Sequence, residues 1–195
     1  MTAPLPPPDF ARRDLEIITL PKGTILERFY TVTRDPIHFD RGRGGRLNAP
    51  DGSYGVLYAA QSIRGAFAET FLRRPGYNLI PSDLLQSKAR VRLEVTRELK
   101  LAKLAGVGLG RIGATAEVTH GGEPYDAPQA WSRAIRFHPS TPDGIAYTAR
   151  HDDEALCYAL YDDPPPCVVE ATREIDVDQD WFWDLAEMYS VGLTP

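Results

Sequence analysis

The succession of strand-like and helix-like segments in this chain predicts an α+β fold: a single compact domain with a mainly antiparallel mixed sheet and flanking helices. Three observations predict it. ARVRLEVT, from Ala89 to Thr96, alternates Ala89, Val91, Leu93 and Val95 with charged or polar residues, as a half-buried antiparallel strand does. The strand-like YGVLYAA runs straight into SIRGAFAETFLR, a helix capped by Ser62 and ending before Pro75 and Gly76. A chain of 195 residues, 43% hydrophobic and 25% charged, is long and apolar enough for one substantial core.

The elements follow in order. Pro4, Pro6, Pro7 and Pro8 make residues 1–14 a poor helix or central strand, so they are expected to form a flexible arm that tolerates trimming, ahead of one domain over 15–195. TILERFYTV, from Thr24 to Val32, is β-branched and aromatic and reads as the first strand. Arg41 to Ser53, RGRGGRLNAPDGS, contains four glycines and a proline and must be a loop, whose amides and arginines could surround an anion. The next helix is apolar nearly all round through Ile63, Ala66, Phe67, Ala68, Phe71 and Leu72, with Glu69 as the exception. Gly65, Ala66 and Ser62 lie one and two turns before Glu69, which predicts a low surface where a ligand can approach the carboxylate.

Further on, GVGLGRIG has the look of a dinucleotide fingerprint but is read as not fitting GxGxxG and as lacking a clear flanking strand and helix, and a Rossmann reading is set aside. Residues 128–137 are expected to be a short helix, GIAYTAR a strand, ALCYALYD another short element, CVVEAT a buried strand and WFWDLAEMY a closing helix. Trp131, Trp181 and Trp183 read as core or interface anchors. There is no internal repeat.

Several classes are excluded. A net charge of -5 and a pI near 5.4 argue against broad nucleic-acid binding, so any positive patch is local. No apolar run approaches the roughly 18 residues of a membrane span, and MTAPLPPPDFARRD lacks the apolar stretch of a secretory signal; a cytoplasmic protein is expected. Cys157 and Cys167 are read as reduced and structural. His38, His120, His138 and His151 are scattered, without a ligand pattern, and no metal is expected.

The candidate site lies between Arg28 and Glu69. Arg28 and Arg46 can hold phosphates bidentately, Tyr58 can stack on a flat ring, and Glu69 can stabilise a developing sugar cation. Phe29 and Tyr30 alternate sides of one strand, so at most one of them is expected to wall the pocket.

ERFYTV around Arg28, GGRLNAPDGSYGVLYAA through Arg46 and Tyr58, AFAETF with Glu69, and DGIAYTARHDDEALCYALYD together resemble the RES-domain toxins of Xre/RES toxin-antitoxin modules. The resemblance implies an α+β domain similar to ADP-ribosyltransferase toxins, NAD+ as substrate and inhibition by a cognate Xre-family antitoxin, with DNA contacted only through that antitoxin. It gives Glu69, Tyr58 and Arg28 catalytic roles, and NAD+ binding to Arg28, Arg46, Tyr58 and one of Phe29 or Tyr30. The acceptor of ADP-ribose is left open among water, phosphate and a protein side chain. The family's Tyr-x-Ser-Arg pattern reads Tyr147, Thr148, Ala149, Arg150 here, so the serine is replaced by Ala149. Thr148 or Ser132 could supply a hydroxyl in its place, and no catalytic serine is assigned.

Overall fold

The computed structural model describes residues 3–72, 76 and 78–194. In chain order its elements are β1 (Ile17–Leu20), β2 (Ile25–Thr31), β3 (Val56–Ala60), α1 (Ile63–Phe71), β4 (Leu79–Ile80), α2 (Ser82–Gln86), β5 (Lys88–Val95), β6 (Leu99–Leu104), α3 (Val107–Ile112), α4 (Glu117–His120), α5 (Asp126–Arg136), β7 (Gly144–Ala149), β8 (Asp152–Tyr161), β9 (Val168–Glu174), α6 (Asp180–Met188) and β10 (Gly192–Leu193). Eight strands form one mixed sheet in the order β1-β6-β7-β8-β3-β2-β5-β9, and β10 pairs with β4 beside it. Every neighbouring pair in the large sheet is antiparallel except β6 and β7. That parallel pair needs a long crossover, which α3, α4 and α5 supply. The α+β reading of the sequence therefore stands, with one parallel step inside it.

The helices are not spread over both faces. The larger core gathers residues of α1, α3, α4, α5 and α6 against one side of the sheet. The second core, around Leu26, Leu57, Leu93, Leu99 and Tyr158, contains strand residues and no helix residue among those described. Strands from both ends of the order meet in it, so the sheet curls over its own face rather than taking a helical layer there.

Ser62 caps α1, its hydroxyl accepting from the Gly65 amide at 3.3 Å. The expected end of this helix at Arg73 and Pro75 lies outside the described residues; among those described it ends at Phe71. Gly65 serves the fold: a Cβ there would come within 3.2 Å of the Ala60 Cβ and 3.3 Å of the Ala155 Cβ, so its absence seats α1 against β3 and β8. The low surface expected for a ligand is thus filled by the sheet at Gly65, and only Ala66 of that pair opens to a cavity.

Other segments depart from the sequence reading. The first residues, expected to be a free arm, are docked: the Trp131 indole donates to the Pro4 carbonyl at 2.6 Å, and the buried Phe10 packs edge-on to Trp131. Prolines rule out an α-helix over residues 4–8 but leave the carbonyls free to accept, and a single 3-10 turn follows at Phe10–Arg12. GVGLGRIG follows a strand after all and is the helix α3. Gly108, Gly110 and Gly113 do carry the GxGxxG spacing, but two lie inside the helix and Gly113 is its left-handed C-cap, so no phosphate loop precedes a helix N-terminus. ALCYALYD belongs to the ten-residue β8. CVVEAT, expected to be buried, is largely an exposed edge strand in β9. The closing helix α6 turns Phe182, Leu185 and Ala186 into the core, leaving Met188 as the exposed apolar residue.

Candidate active site

The sheet splits where the candidate residues lie. β2 and β3 share a single paired position, Glu27 with Ala60, and beyond it they part; the far end of β3 pairs instead with Asp40 through Val56. A cavity of about 440 Å³ opens in this split, a size suited to a small-molecule ligand. Arg28, Phe29, Tyr30, Arg46, Tyr58 and Glu69 all line it, so the structure brings the whole sequence-derived set together.

Arg28 is buried, and burial lowers its pKa to about 10, with Asp40 pulling the other way, so it is still a cation at neutral pH. One nitrogen donates to the Tyr58 carbonyl, while Nε has no partner. Among the described residues Arg28 makes no ion pair. Arg46 donates from Nε to the Gly121 carbonyl at 3.1 Å, and its guanidinium lies 5.4 Å from the centre of the Tyr125 ring. It too lacks an ion pair among the described residues. Two cations without carboxylate partners on one cavity wall are the electrostatics of an anion site.

The loop carrying Arg46 is held firmly. Asn48, fully buried, donates to Asp40 at 2.9 Å and to the Gly42 carbonyl at 2.7 Å, and accepts from the Tyr58 hydroxyl at 2.9 Å. That hydroxyl accepts in turn from the Leu47 amide at 2.9 Å. Gly45 makes room for this: a Cβ there would stand 2.3 Å from the Asn48 Oδ1. From α5, Gln129 donates to the carbonyls of Arg43 and Gly45 at 2.9 and 3.0 Å. The Gly45-Arg46-Leu47-Asn48 turn is thereby a built wall, with the Tyr58 hydroxyl committed inside it. Burial pushes the Tyr58 phenol well above its usual range, so it stays a donor.

Glu69 faces this wall from α1. Its carboxylate accepts from the Tyr147 hydroxyl at 3.2 Å and from the Arg150 amide at 3.1 Å. Burial, and then the Glu69 charge, hold the Tyr147 phenol well above its usual range, keeping the proton available to Glu69. Tyr147, Arg150, Tyr125 and His151 line the cavity and were not among the residues picked from the sequence. The Tyr-x-x-Arg spacing of Tyr147 and Arg150 is the sequence signal for the first two.

Phe29 and Tyr30 both touch the cavity, but neither offers an open ring face. Phe29 packs on Phe71 and stacks on Trp181, while Tyr30 sits in the second core with the Arg173 guanidinium 5.9 Å from its ring. Ser132 is committed elsewhere, donating to the Leu47 carbonyl at 2.6 Å, and Ala149 is fully buried without lining the cavity. The two cysteines are free thiols in different cores. Among the described residues no group of three or more His, Cys, Asp or Glu is gathered to hold a metal ion, and no helix is long and apolar enough to cross a membrane.

The RES domain family model matches residues 25–184, a span that takes in the split sheet, the Arg46 loop, Glu69 and the Tyr147–Arg150 segment. The chain belongs to the RES domain family. A solved structure, the crystal structure of the M. tuberculosis MbcT-MbcA toxin-antitoxin complex, is similar to this RES domain with a TM-score of 0.68 at 16% identity, covering 87% of this chain and 92% of that one. At that identity the likeness is one of fold. No curated protein matches the sequence.

Proposed function

We propose that this RES-domain protein is the toxin of a toxin-antitoxin pair and that it cleaves NAD+ at the nicotinamide-ribose bond, passing ADP-ribose to an acceptor. The observation that carries the reading is that one cavity brings together a positioned carboxylate, Glu69 held by Tyr147 and Arg150, and two guanidiniums without an ion pair among the described residues, Arg28 and Arg46.

In this reading Arg28 and Arg46 take the pyrophosphate, whose charge replaces the missing carboxylates. The nicotinamide ribose lies toward Glu69. As the glycosidic bond lengthens, positive charge spreads over the ribose ring oxygen and C1′, and the Glu69 carboxylate stabilises it or holds the 2′-hydroxyl. The hydrogen bonds from Tyr147 and Arg150 fix that carboxylate before substrate arrives, so little reorganisation is needed at the transition state. Nicotinamide leaves as a neutral amine, so the step calls for no acid. Tyr58, its hydroxyl tied to Leu47 and Asn48, contributes a rigid ring wall beside the leaving group.

A binding module that has lost chemistry is the other reading, motivated by Ala149 in place of serine. The burial of Ala149 away from the cavity speaks against it, since the replacement removes no group from the site. The partner restraining the toxin is expected to be an Xre-family antitoxin that closes the cleft, and the setting of such a pair is the cytoplasm. The test is nicotinamide release from NAD+ by the purified protein and by Glu69→Gln. The parent should turn over, and the variant should lose about 10²–10³-fold in kcat while staying folded. Equal rates in the two proteins refute the assignment of Glu69, and a folded parent with no release under any condition favours the binding module. Growth arrest on expression, relieved by the antitoxin, tests the pairing.

A further inference from the structure

A second cavity, of about 660 Å³, adjoins the NAD+ cleft. Leu104, Leu109 and Ala116 give it an apolar side, and His120, Thr148 and Asp153 a polar one. Arg150 and His151 line both cavities and so form the wall between them. Two histidines that look unrelated in the sequence thus meet in one hollow beside the candidate reaction centre.

His151 is the unexplained group on that wall. Its Nε2 is closed off from solvent and has no hydrogen-bond partner. A buried nitrogen of this kind is costly unless something supplies the missing partner. The preceding residue, Arg150, gives its amide to Glu69, which puts His151 one residue from the carboxylate that faces the ribose. The charged and titratable groups around the imidazole are Arg150, Glu69, Arg46 and His120, with Asp152 and Asp153 following in the chain. Asp152 is committed to Arg64 and Tyr189. Burial, then the Arg150 charge, holds the His151 pKa below its usual value, so the ring is neutral at pH 7 and keeps a lone pair that can accept a proton.

His120 and Thr148 add a polar floor. The His120 Nδ1 lies 3.1 Å from the Ala116 carbonyl and 2.9 Å from the Thr119 hydroxyl, and Nε2 lies 3.4 Å from the Thr148 hydroxyl. With the Nδ1 proton given to Ala116, Nε2 accepts from Thr148 and the threonine oxygen keeps lone pairs for an incoming O–H group.

We propose that the second cavity is the acceptor site, admitting water or a hydroxyl-bearing molecule, and that His151 is the general base that takes its proton. The proposal rests on the NAD+ reading above and deepens it. The Arg150 side chain, with no hydrogen bond or ion pair of its own among the described residues, moves aside to admit the acceptor to the wall. The acceptor oxygen bonds to the ribose C1′ as the bond from C1′ to the nicotinamide nitrogen breaks. The electron pair of that bond returns to the pyridine ring, and nicotinamide leaves neutral. Once the Arg150 side chain has moved aside and uncovered His151 Nε2, the acceptor's proton goes to that nitrogen and from there to solvent through the second cavity.

The test measures nicotinamide release against pH for the parent and His151→Gln, with and without azide, alongside NAD+ affinity by calorimetry. The parent rate should rise with pH through an ionisation below about 6.5 and then level, since the neutral imidazole is the active form. His151→Gln should bind NAD+ as the parent does, lose about 10²–10⁴-fold in rate and lose the pH limb. Azide, which needs no deprotonation, should restore release in the variant with ADP-ribosyl azide as product. Added methanol separates the acceptor classes: a methyl riboside beside free ADP-ribose shows that a hydroxyl compound enters where water does, and free ADP-ribose alone restricts the site to water. Parent-like rate and pH profile in His151→Gln, or a loss that azide does not restore, overturns the proposal. A parent silent with and without azide overturns the NAD+ reading itself, and the acceptor site falls with it.

Discussion

The Tyr147 phenol and the Glu69 carboxylate, 78 residues apart in the chain, meet in a hydrogen bond of 3.2 Å that joins β7 to α1 in the lining of the cavity. A donor of this kind fixes the carboxylate's direction without cancelling its charge. Removing it by Tyr147→Phe leaves the ring packed and deletes only the bond. A hydrogen bond to a charged group contributes about 1.5–3 kcal/mol, so NAD+ cleavage should fall by roughly 10–100-fold. Steady-state kinetics checks this: the loss should appear in kcat with KM nearly unchanged, because the bond acts on the charge that develops in the transition state.

Gly45 is expected to tolerate no side chain. The Cβ of Gly45→Ala would meet the Asn48 amide group 2.3 Å away, and Asn48 is the hub joining Tyr58, Asp40 and the Gly42 carbonyl. Displacing it leaves a buried amide and a buried phenol short of partners, at a cost of about 1–3 kcal/mol. Urea denaturation of Gly45→Ala should show a stability loss of that order. NAD+ affinity should fall with it, since Arg46 rides on the same turn.

Arg28 should show function and stability pulling in opposite directions. Its pKa is about 10 in the folded chain, below that of the free guanidinium, so burial disfavours the charged form. That cost to the fold is present at all pH values below about 10 and fades as pH rises from there toward the free group's value, where the folded chain releases the proton first. Arg28→Met removes the buried charge and should raise the melting temperature of the ligand-free protein at pH 7. Pyrophosphate or NAD+ should stabilise the parent through binding to the native state and leave Arg28→Met nearly unmoved. Thermal melts with and without pyrophosphate check both halves.

Local pattern carried much of this architecture. The alternation in β5, the cap at Ser62 and the Gly-Arg-x-Asn turn are decided by neighbouring residues and could be read directly. β6 was missed because LKLAKL places Lys100 and Lys103 out of strict alternation and buries Ala102 beside Leu101. β9 was misjudged because its valines look like core residues, whereas being the last strand of the order is a property of the whole sheet. The split between β2 and β3 depends on Asp40 capturing Val56, a contact no window of sequence contains. For the same reason Arg28, Arg46, Tyr58 and Glu69 were legible as residue types in a motif, while Tyr147, Arg150 and His151 enter the site from β7 and the turn that follows it.

The N-terminal segment is where packing overrides composition most clearly. Four prolines in the first eight residues made a free arm the natural expectation. Yet Phe10 is 5% exposed, with the Trp131 ring 5.2 Å away edge-on and the His138 ring at 5.3 Å. Trp131 itself is fully buried in α5, the helix whose Gln129 holds the carbonyls of the Arg46 loop. Phe10→Ala should therefore cost about 3 kcal/mol, the lower end for emptying a buried aromatic site. Deleting residues 1–12 should also uncover the Trp131 indole, which loses its acceptor at Pro4. Denaturation midpoints report the stability loss and tryptophan fluorescence the exposure of the indole. A truncated protein with parent stability would return this segment to the status of a dispensable arm.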